Sequence, residues 1–227
     1  MSVVLAFDTA SAATVVGAAR DGGPVATRRH DPGPGERPGH ATQLLTLVEE
    51  ALAELGATLV DVTRLGVGVG PGSFTGLRIG VATGRALAQA SDAAAVPVST
   101  LDALAWGPGA AGPPAGPVLA VLDARRGEAF VAAWDGSART LDPVAVRPDA
   151  LGALGTLHAA GGAAVGDGAI RYRAALEDEG VAVPADGAPE HRVDGAALVA
   201  LAAVGEVVSR ERLVPDYLRV PDVDLRP

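Results

Sequence analysis

The sequence predicts an α/β chain of two lobes, each built on a strand–strand–strand–helix–strand–helix unit. Three observations carry that prediction. Val4-Leu-Ala-Phe-Asp8 and Val118-Leu-Ala-Val-Leu-Asp123 are both apolar strands that end in aspartate. Each leads through a tight polar turn into a second strand, Thr14–Ala19 in one case and Glu128–Trp134 in the other. Between them runs Gly107–Pro117, a proline- and glycine-rich segment that reads as a linker. The expected organisation is an N-terminal lobe over residues 1–105, a linker over 106–117 and a smaller lobe with its tail over 118–227. A helix over about 194–210 is expected near the lobe junction, since the apolar run there follows Asp194 as its cap.

The first lobe begins with the continuous apolar run Val3–Phe7, the pattern of a buried strand. Asp21-Gly22-Gly23 is a turn and Val25–Arg28 a third strand. Asp31–Gly39 is a loop. His40–Leu55 is a helix whose apolar positions, Leu44, Leu45, Leu47, Val48, Ala51, Leu52 and Leu55, exceed one stripe. Such a helix is either sandwiched inside the domain or shared with a partner. Leu65–Val69 is a strand that Gly70-Pro71-Gly72 breaks, because proline lacks an N–H and glycine turns freely. Ser73 caps the next helix, Phe74–Gln89. A strand at Ala95–Val98 and a helix capped by Ser99 or Thr100 close the lobe. In the second lobe the order continues only roughly. A strand spans about Thr140–Val146, a weak helix Asp149–Leu157, a short strand Ala163–Val165, a helix Ile170–Glu179 and a strong helix Ala196–Ser209. Val214–Asp222 is extended by its prolines.

The helix after Ser73 carries Gly76, Gly80 and Gly84 four residues apart, on one face. Each glycine costs a helix about 1 kcal/mol relative to alanine, so close approach of another element must compensate. That element is either internal or a partner helix. The partner reading takes Gly76, Gly80 and Gly84 for close approach, Leu44 and Val48 for apolar contact and Arg78 for a rim bond. On it, Gly80→Leu leaves the monomer stable and blocks the partner.

Composition narrows the chemistry. Of 227 residues, 48% are hydrophobic and 3% aromatic, so the core is aliphatic. Cysteine is absent, which removes disulfides, thiol nucleophiles and cysteine–zinc sites and fits a reducing cytosol. Lysine is absent too, which removes the P-loop lysine and Schiff-base chemistry. A net charge of −9 is a poor balance for holding a phosphate backbone unaided. No basic n-region precedes an apolar stretch, and no apolar run reaches membrane length, so a cytoplasmic chain is expected.

Gly70-Pro-Gly-Ser-Phe-Thr-Gly-Leu-Arg-Ile-Gly80 resembles the signature of the TsaB (YeaZ) family. Val4–Ser11 resembles the family's first strand and turn, Leu122–Phe130 its Asp-Ala-Arg-x-Gly-Glu hairpin and Pro215-Asp-Tyr-Leu-Arg219 its tail motif. Residues 136–195 match only in outline. The doubled unit is the arrangement of the actin/hexokinase/Hsp70-like ATPase fold. The resemblance implies a non-catalytic partner protein of bacterial tRNA N6-threonylcarbamoyladenosine synthesis. It implies a TsaD-type transferase and a TsaE-type ATPase as partners, with ATP and tRNA engaged by the complex. It points to the same two helices, His40–Leu55 and Phe74–Gln89, as the partner surface.

Asp8 and Asp123 stand where active members of that superfold place carboxylates around Mg–ATP. The blander role is capping of a turn. The turns that follow, Thr9-Ala10-Ser11 and Ala124-Arg125-Arg126, lack the glycines that let backbone approach phosphate. Gly66-x-Gly68-x-Gly70-x-Gly72 has neither dinucleotide nor Walker spacing. His30, His40, His158 and His191 are scattered, so no metal ligand set is visible, and no catalytic residue is expected. His40 opens its helix in a capping or packing role. An active kinase or ATPase of the same fold is the alternative. A metallo-glycoprotease lacks a ligand set, and a homodimer in isolation stays open.

Overall fold

The computed structural model describes residues 2–33, 35–109 and 112–218. Arg219 of the tail motif and positions 220–222 of the expected extended stretch lie outside the described residues.

Strands β1 (Val3–Asp8), β2 (Thr14–Arg20), β3 (Val25–His30), β4 (Val62–Gly70) and β5 (Ala94–Ser99) form one sheet in the order β3-β2-β1-β4-β5. Strands β6 (Pro117–Arg125), β7 (Glu128–Asp135), β8 (Ala138–Val146) and β9 (Ala163–Val165) form a second, in the order β8-β7-β6-β9. The first four strands of each half therefore take the same places. In both, a central strand pairs antiparallel with its hairpin partner and parallel with the fourth strand. The repeat read in the sequence is a repeat of topology.

Alternation along β1 sets the layers. Val3, Leu5 and Phe7 face one side with α1 (His40–Glu54) and α2 (Phe74–Ser91). Ala6 faces the other, with α3 (Thr100–Trp106) and α7 (Gly195–Val204). That second side continues into the other sheet through Ala120, Leu122, Phe130 and Trp134. One shared core thus joins the lobes. The far face of the second sheet, with Leu119 and Val121, is covered by α4 (Leu151–His158), α5 (Asp167–Arg171) and α6 (Arg173–Glu177).

Two expected helices differ. Ile170–Glu179 is not one helix: it divides at Tyr172, whose φ of −108° and ψ of 24° leave the helical region. The Tyr172 hydroxyl donates to the Glu128 carbonyl at 3.3 Å, which ties the ring to β7. The last helix ends at Val204, not Ser209. Arg64 on β4 donates to the carbonyls of Ala202 (2.9 Å) and Gly205 (2.6 Å), which closes its C-terminus.

The chain after α7 runs back along α2. Val208 N–H donates to the Ala95 carbonyl at 2.9 Å. Arg85 on α2 donates to the carbonyls of Leu213 (2.9 Å) and Glu211 (3.0 Å). Leu213 is fully buried, and Asp216 N–H donates to the Val69 carbonyl at 2.7 Å.

Candidate functional site

Asp8 ends β1 with no exposed surface. Its Oδ1 accepts from the Ala10 N–H at 2.8 Å and its Oδ2 from the Thr100 hydroxyl at 2.7 Å. Its Oδ2 also leans over Gly68, where an added Cβ would stand 2.2 Å away. Burial pushes its pKa up; the Thr100 hydroxyl, the Ala10 N–H and the charge of Arg29 pull the other way. A ligand would reach this carboxylate only by displacing Thr100 or the turn itself.

Asp123 repeats the arrangement. Its Oδ1 accepts from the N–H two residues on, Arg125, at 2.9 Å, and its Oδ2 from Arg171 at 3.1 Å. Its own N–H donates to Asp167 at 3.0 Å, and burial pushes the Asp167 carboxyl up. Arg125 and Arg126 take φ of 64° and 53°, so the hairpin turn is left-handed at two arginines. Both aspartates are thus turn caps in the same register of the repeat.

His40 is buried at the start of α1. Its Nδ1 lies 2.8 Å from the Thr14 hydroxyl, and its Nε2 has no hydrogen-bond partner among the described residues. Burial lowers its pKa, the polar backbone of nearby Ser11 pulls the other way, and His30 lowers it further. Sequence reasoning passed over His191. Buried between β9 and the 184–191 loop, it accepts the Gly166 N–H at Nδ1 (3.0 Å) and reaches the Pro184 carbonyl from Nε2 (3.0 Å). Only tertiary structure brings those partners together, so no local motif marks it.

The two helices bear the expected residues, but not as expected. Gly76, Gly80 and Gly84 are buried against the first sheet and its turn, not open to a partner. A Cβ would stand 2.0 Å from the Thr9 carbonyl oxygen at Gly76, 2.3 Å from the Thr9 hydroxyl at Gly80 and 2.5 Å from Val67 at Gly84. The internal approach is what the glycines permit. Leu44 and Val48 are likewise core residues, 1% and 4% exposed, so neither can supply apolar contact to a partner. The row that faces outward lies two positions on, about 200° around the helix. It comprises Phe74, Arg78, Ala82 and Ala86, all exposed. On α1 the exposed row is Ala41, Leu45 and Glu49, with Leu45 at 52%. Of the predicted partner residues only Arg78 stands on this surface.

At its N-terminal end the outward row meets the tail. The Phe74 and Tyr217 rings lie 5.3 Å apart and tilted by 33°. The Arg78 guanidinium sits 3.8 Å over the Phe74 ring, and its Nε donates to the Tyr217 hydroxyl at 3.3 Å. The arrangement offers a cation, two half-exposed rings and small flanking side chains, which is binding chemistry. Among the described residues, no group of three or more His, Asp or Glu side chains is placed to hold a metal, and no helix is long and apolar enough to cross a membrane.

Residues 37–166 match the family model described as "TsaD: tRNA N6-adenosine threonylcarbamoyltransferase". An uncharacterized protein of Mycobacterium tuberculosis is 35% identical over 98% of this chain and 94% of its own length. The tRNA threonylcarbamoyladenosine biosynthesis protein TsaB of Escherichia coli is 37% identical over 58% of this chain and 54% of its own. Among solved structures, YeaZ from Pseudomonas aeruginosa superposes with a TM-score of 0.76 at 27% identity, covering 96% of this chain and all (100%) of that one.

Proposed function

This chain belongs to the TsaB (YeaZ) family, with the actin/hexokinase/Hsp70-like fold, and we propose that it is the non-catalytic docking subunit of a tRNA threonylcarbamoyladenosine-synthesising complex. Its partner is a TsaD-type transferase, and a TsaE-type ATPase completes the assembly. ATP and tRNA act at the level of the complex, in the cytoplasm, and the chain itself contributes surface.

The observation that carries this reading is the contrast between the two ends of the sheets and the face of α2. Both superfold carboxylates are engaged by the protein itself, each by the N–H of its own turn and by a side chain of a neighbouring helix, Thr100 or Arg171. The outward row Phe74-Arg78-Ala82-Ala86 is instead open, and it begins with an aromatic residue and an arginine, two types enriched at interfaces. Leu45 adds apolar area from α1. The E. coli relative's name places that protein in threonylcarbamoyladenosine biosynthesis, and the matched model describes the transferase, which supports a partner from the same superfold.

The test is reconstitution. The purified chain is mixed with the TsaD-type subunit of its source organism and followed by size-exclusion chromatography. The threonylcarbamoyl-adenosine formed on tRNA is then measured with and without the chain. A complex, and product that depends on it, is the expected result. No complex, or product that is independent of this chain, refutes the proposal.

A further inference from the structure

Tyr217 lies 139 residues after Arg78, yet the two share a hydrogen bond on the surface of α2. Aromatic residues make up only 3% of this chain. Phe7 and Phe130 are buried, whereas Phe74 and Tyr217 are 38% and 37% exposed and touch each other. An exposed aromatic pair in so aromatic-poor a chain has the composition of a binding hot spot.

Arg78 is held in place by this pair. Its face stacks on Phe74 and its Nε is taken by Tyr217, which leaves both terminal nitrogens without a protein partner among the described residues. No carboxylate lies within 4.0 Å of it among the described residues, although the chain carries 27 acidic residues. Other arginines show the contrast: Arg29 pairs with Asp31 at 2.7 Å, Arg139 with Asp102 at 2.7 Å and Arg171 with Asp123 at 3.1 Å. The tyrosine is fixed in turn, because Asp216 N–H is bonded to the end of β4 and Leu213 is buried in the core.

We infer that Phe74, Arg78 and Tyr217 form a preorganised receptor for a carboxylate on a helix of the TsaD-type partner, with the tail's Tyr217 as the residue that positions the guanidinium. This deepens the docking reading and rests on it. A guanidinium whose plane is already set loses less freedom when it binds a carboxylate in a forked geometry. The small side chains of Ala82 and Ala86, along the same row, let a partner helix approach beside it. The C-terminal tail is then part of the interface and not only a strap on the fold.

The test measures affinity of the full chain for the TsaD-type subunit by calorimetry, at low and at physiological salt, with thermal unfolding of each variant alongside. Tyr217→Ala is expected to weaken binding by about tenfold or more, the scale of a hot-spot residue. Tyr217→Phe keeps the ring and loses the hydroxyl, so it should fall between the two. Arg78→Ala should weaken binding and flatten its salt dependence, and Arg78→Lys should not restore it. If Tyr217→Ala impairs folding, Tyr217→Phe and Arg78→Ala still decide. Wild-type affinity in both tyrosine variants, or an unchanged salt slope in Arg78→Ala, overturns the inference and leaves the docking reading standing. A wild-type chain that pairs only with itself, or does not bind the TsaD-type subunit, overturns both.

Discussion

Gly76→Ala is expected to destabilise the isolated protein, against the helix propensity of the two residues. Alanine suits a helix interior better than glycine by about 1 kcal/mol. On that ground alone the variant would gain stability. At this site the new Cβ would stand 2.0 Å from the Thr9 carbonyl oxygen and 3.3 Å from His40 Nε2. Carbon and oxygen rest at roughly 3.3 Å or more, so turn and helix must separate by on the order of 1 Å. Both sides resist. Ser73 N–H donates to the Ala10 carbonyl at 2.6 Å, and the Thr9 hydroxyl donates to the Gly76 carbonyl at 2.8 Å. Overpacking costs about 1–3 kcal/mol, and a backbone obstacle puts this site near the upper end. The net is a loss of about 2 kcal/mol, or a fall in Tm of about 4–8 °C for a chain of this size. Thermal unfolding by circular dichroism checks it, with Ala82→Gly on the exposed face reporting the bare propensity. Gly80→Leu is held to the same logic, since its Cβ would stand 2.3 Å from the Thr9 hydroxyl. It should unfold the monomer, where the partner reading of the glycines required a stable one. A Gly76→Ala protein as stable as the wild type would refute the account of the glycine row.

Further outcomes follow from the same contacts. Ala82→Glu, in the middle of the outward row, should keep the wild-type Tm and reduce affinity for the TsaD-type subunit by about tenfold or more, measured by calorimetry. Asp8 has a raised pKa, so its contribution to stability is fully present below the ordinary carboxylate value of 3.8 and is lost as pH rises through the raised one. Asp8→Asn keeps an acceptor for Ala10 and a donor for Thr100 without the charge. It should therefore exceed the wild type in Tm at neutral pH, with an advantage that shrinks as pH falls toward about 4; a variant less stable at neutral pH would contradict this. The isolated chain, at a net charge of −9, should bind tRNA no tighter than the nonspecific range of about 10⁻⁴–10⁻⁶ M at physiological salt, as read by a filter or anisotropy titration. His191→Ala removes two buried hydrogen bonds and should lower stability by about 2–4 kcal/mol, readable in a urea titration.

The strands were the most legible part of the sequence, because β1, the Leu65–Val69 part of β4 and most of β6 are apolar runs with aspartate or glycine at or near their ends. The repeat was legible for the same reason: Asp8 and Asp123 close equivalent strands. What misled was the glycine row. Its periodicity says that something approaches α2 closely, but periodicity is blind to which body approaches. Here it is the β1–β2 turn and Val67 of the same chain. The wide apolar face of α1 misled likewise, since Leu44 and Val48 belong to the core and only Leu45 is left over. The aromatic pair was illegible, because Phe74 and Tyr217 meet only after the tail has run the length of α2. Arg64 and Tyr172 reset helix ends for a similar reason: each acts through a partner distant in sequence.

The two faces of α2 are linked through the turn that its inner face receives. A helix N-terminus presents N–H groups that suit an anion. At α2 the Ser73 N–H is given to the Ala10 carbonyl, and the Gly76 N–H to the Ser73 hydroxyl at 3.3 Å. Asp8 holds Ala10 by its N–H, and Thr9 reaches Gly76 by its hydroxyl. The turn thus occupies the N-terminus of α2, and Gly76 and Gly80 let it sit that deep. A turn locked this way fixes the position of α2 against β1 and β4. The outer row, with Phe74 one residue after the Ser73 cap, is fixed by the same contacts. The same turn contacts that hold α2 against the sheet therefore also hold the outward row, which the proposed docking uses, in place. Loosening the turn, as Gly76→Ala would, should therefore weaken docking as well as stability, although Gly76 touches no partner.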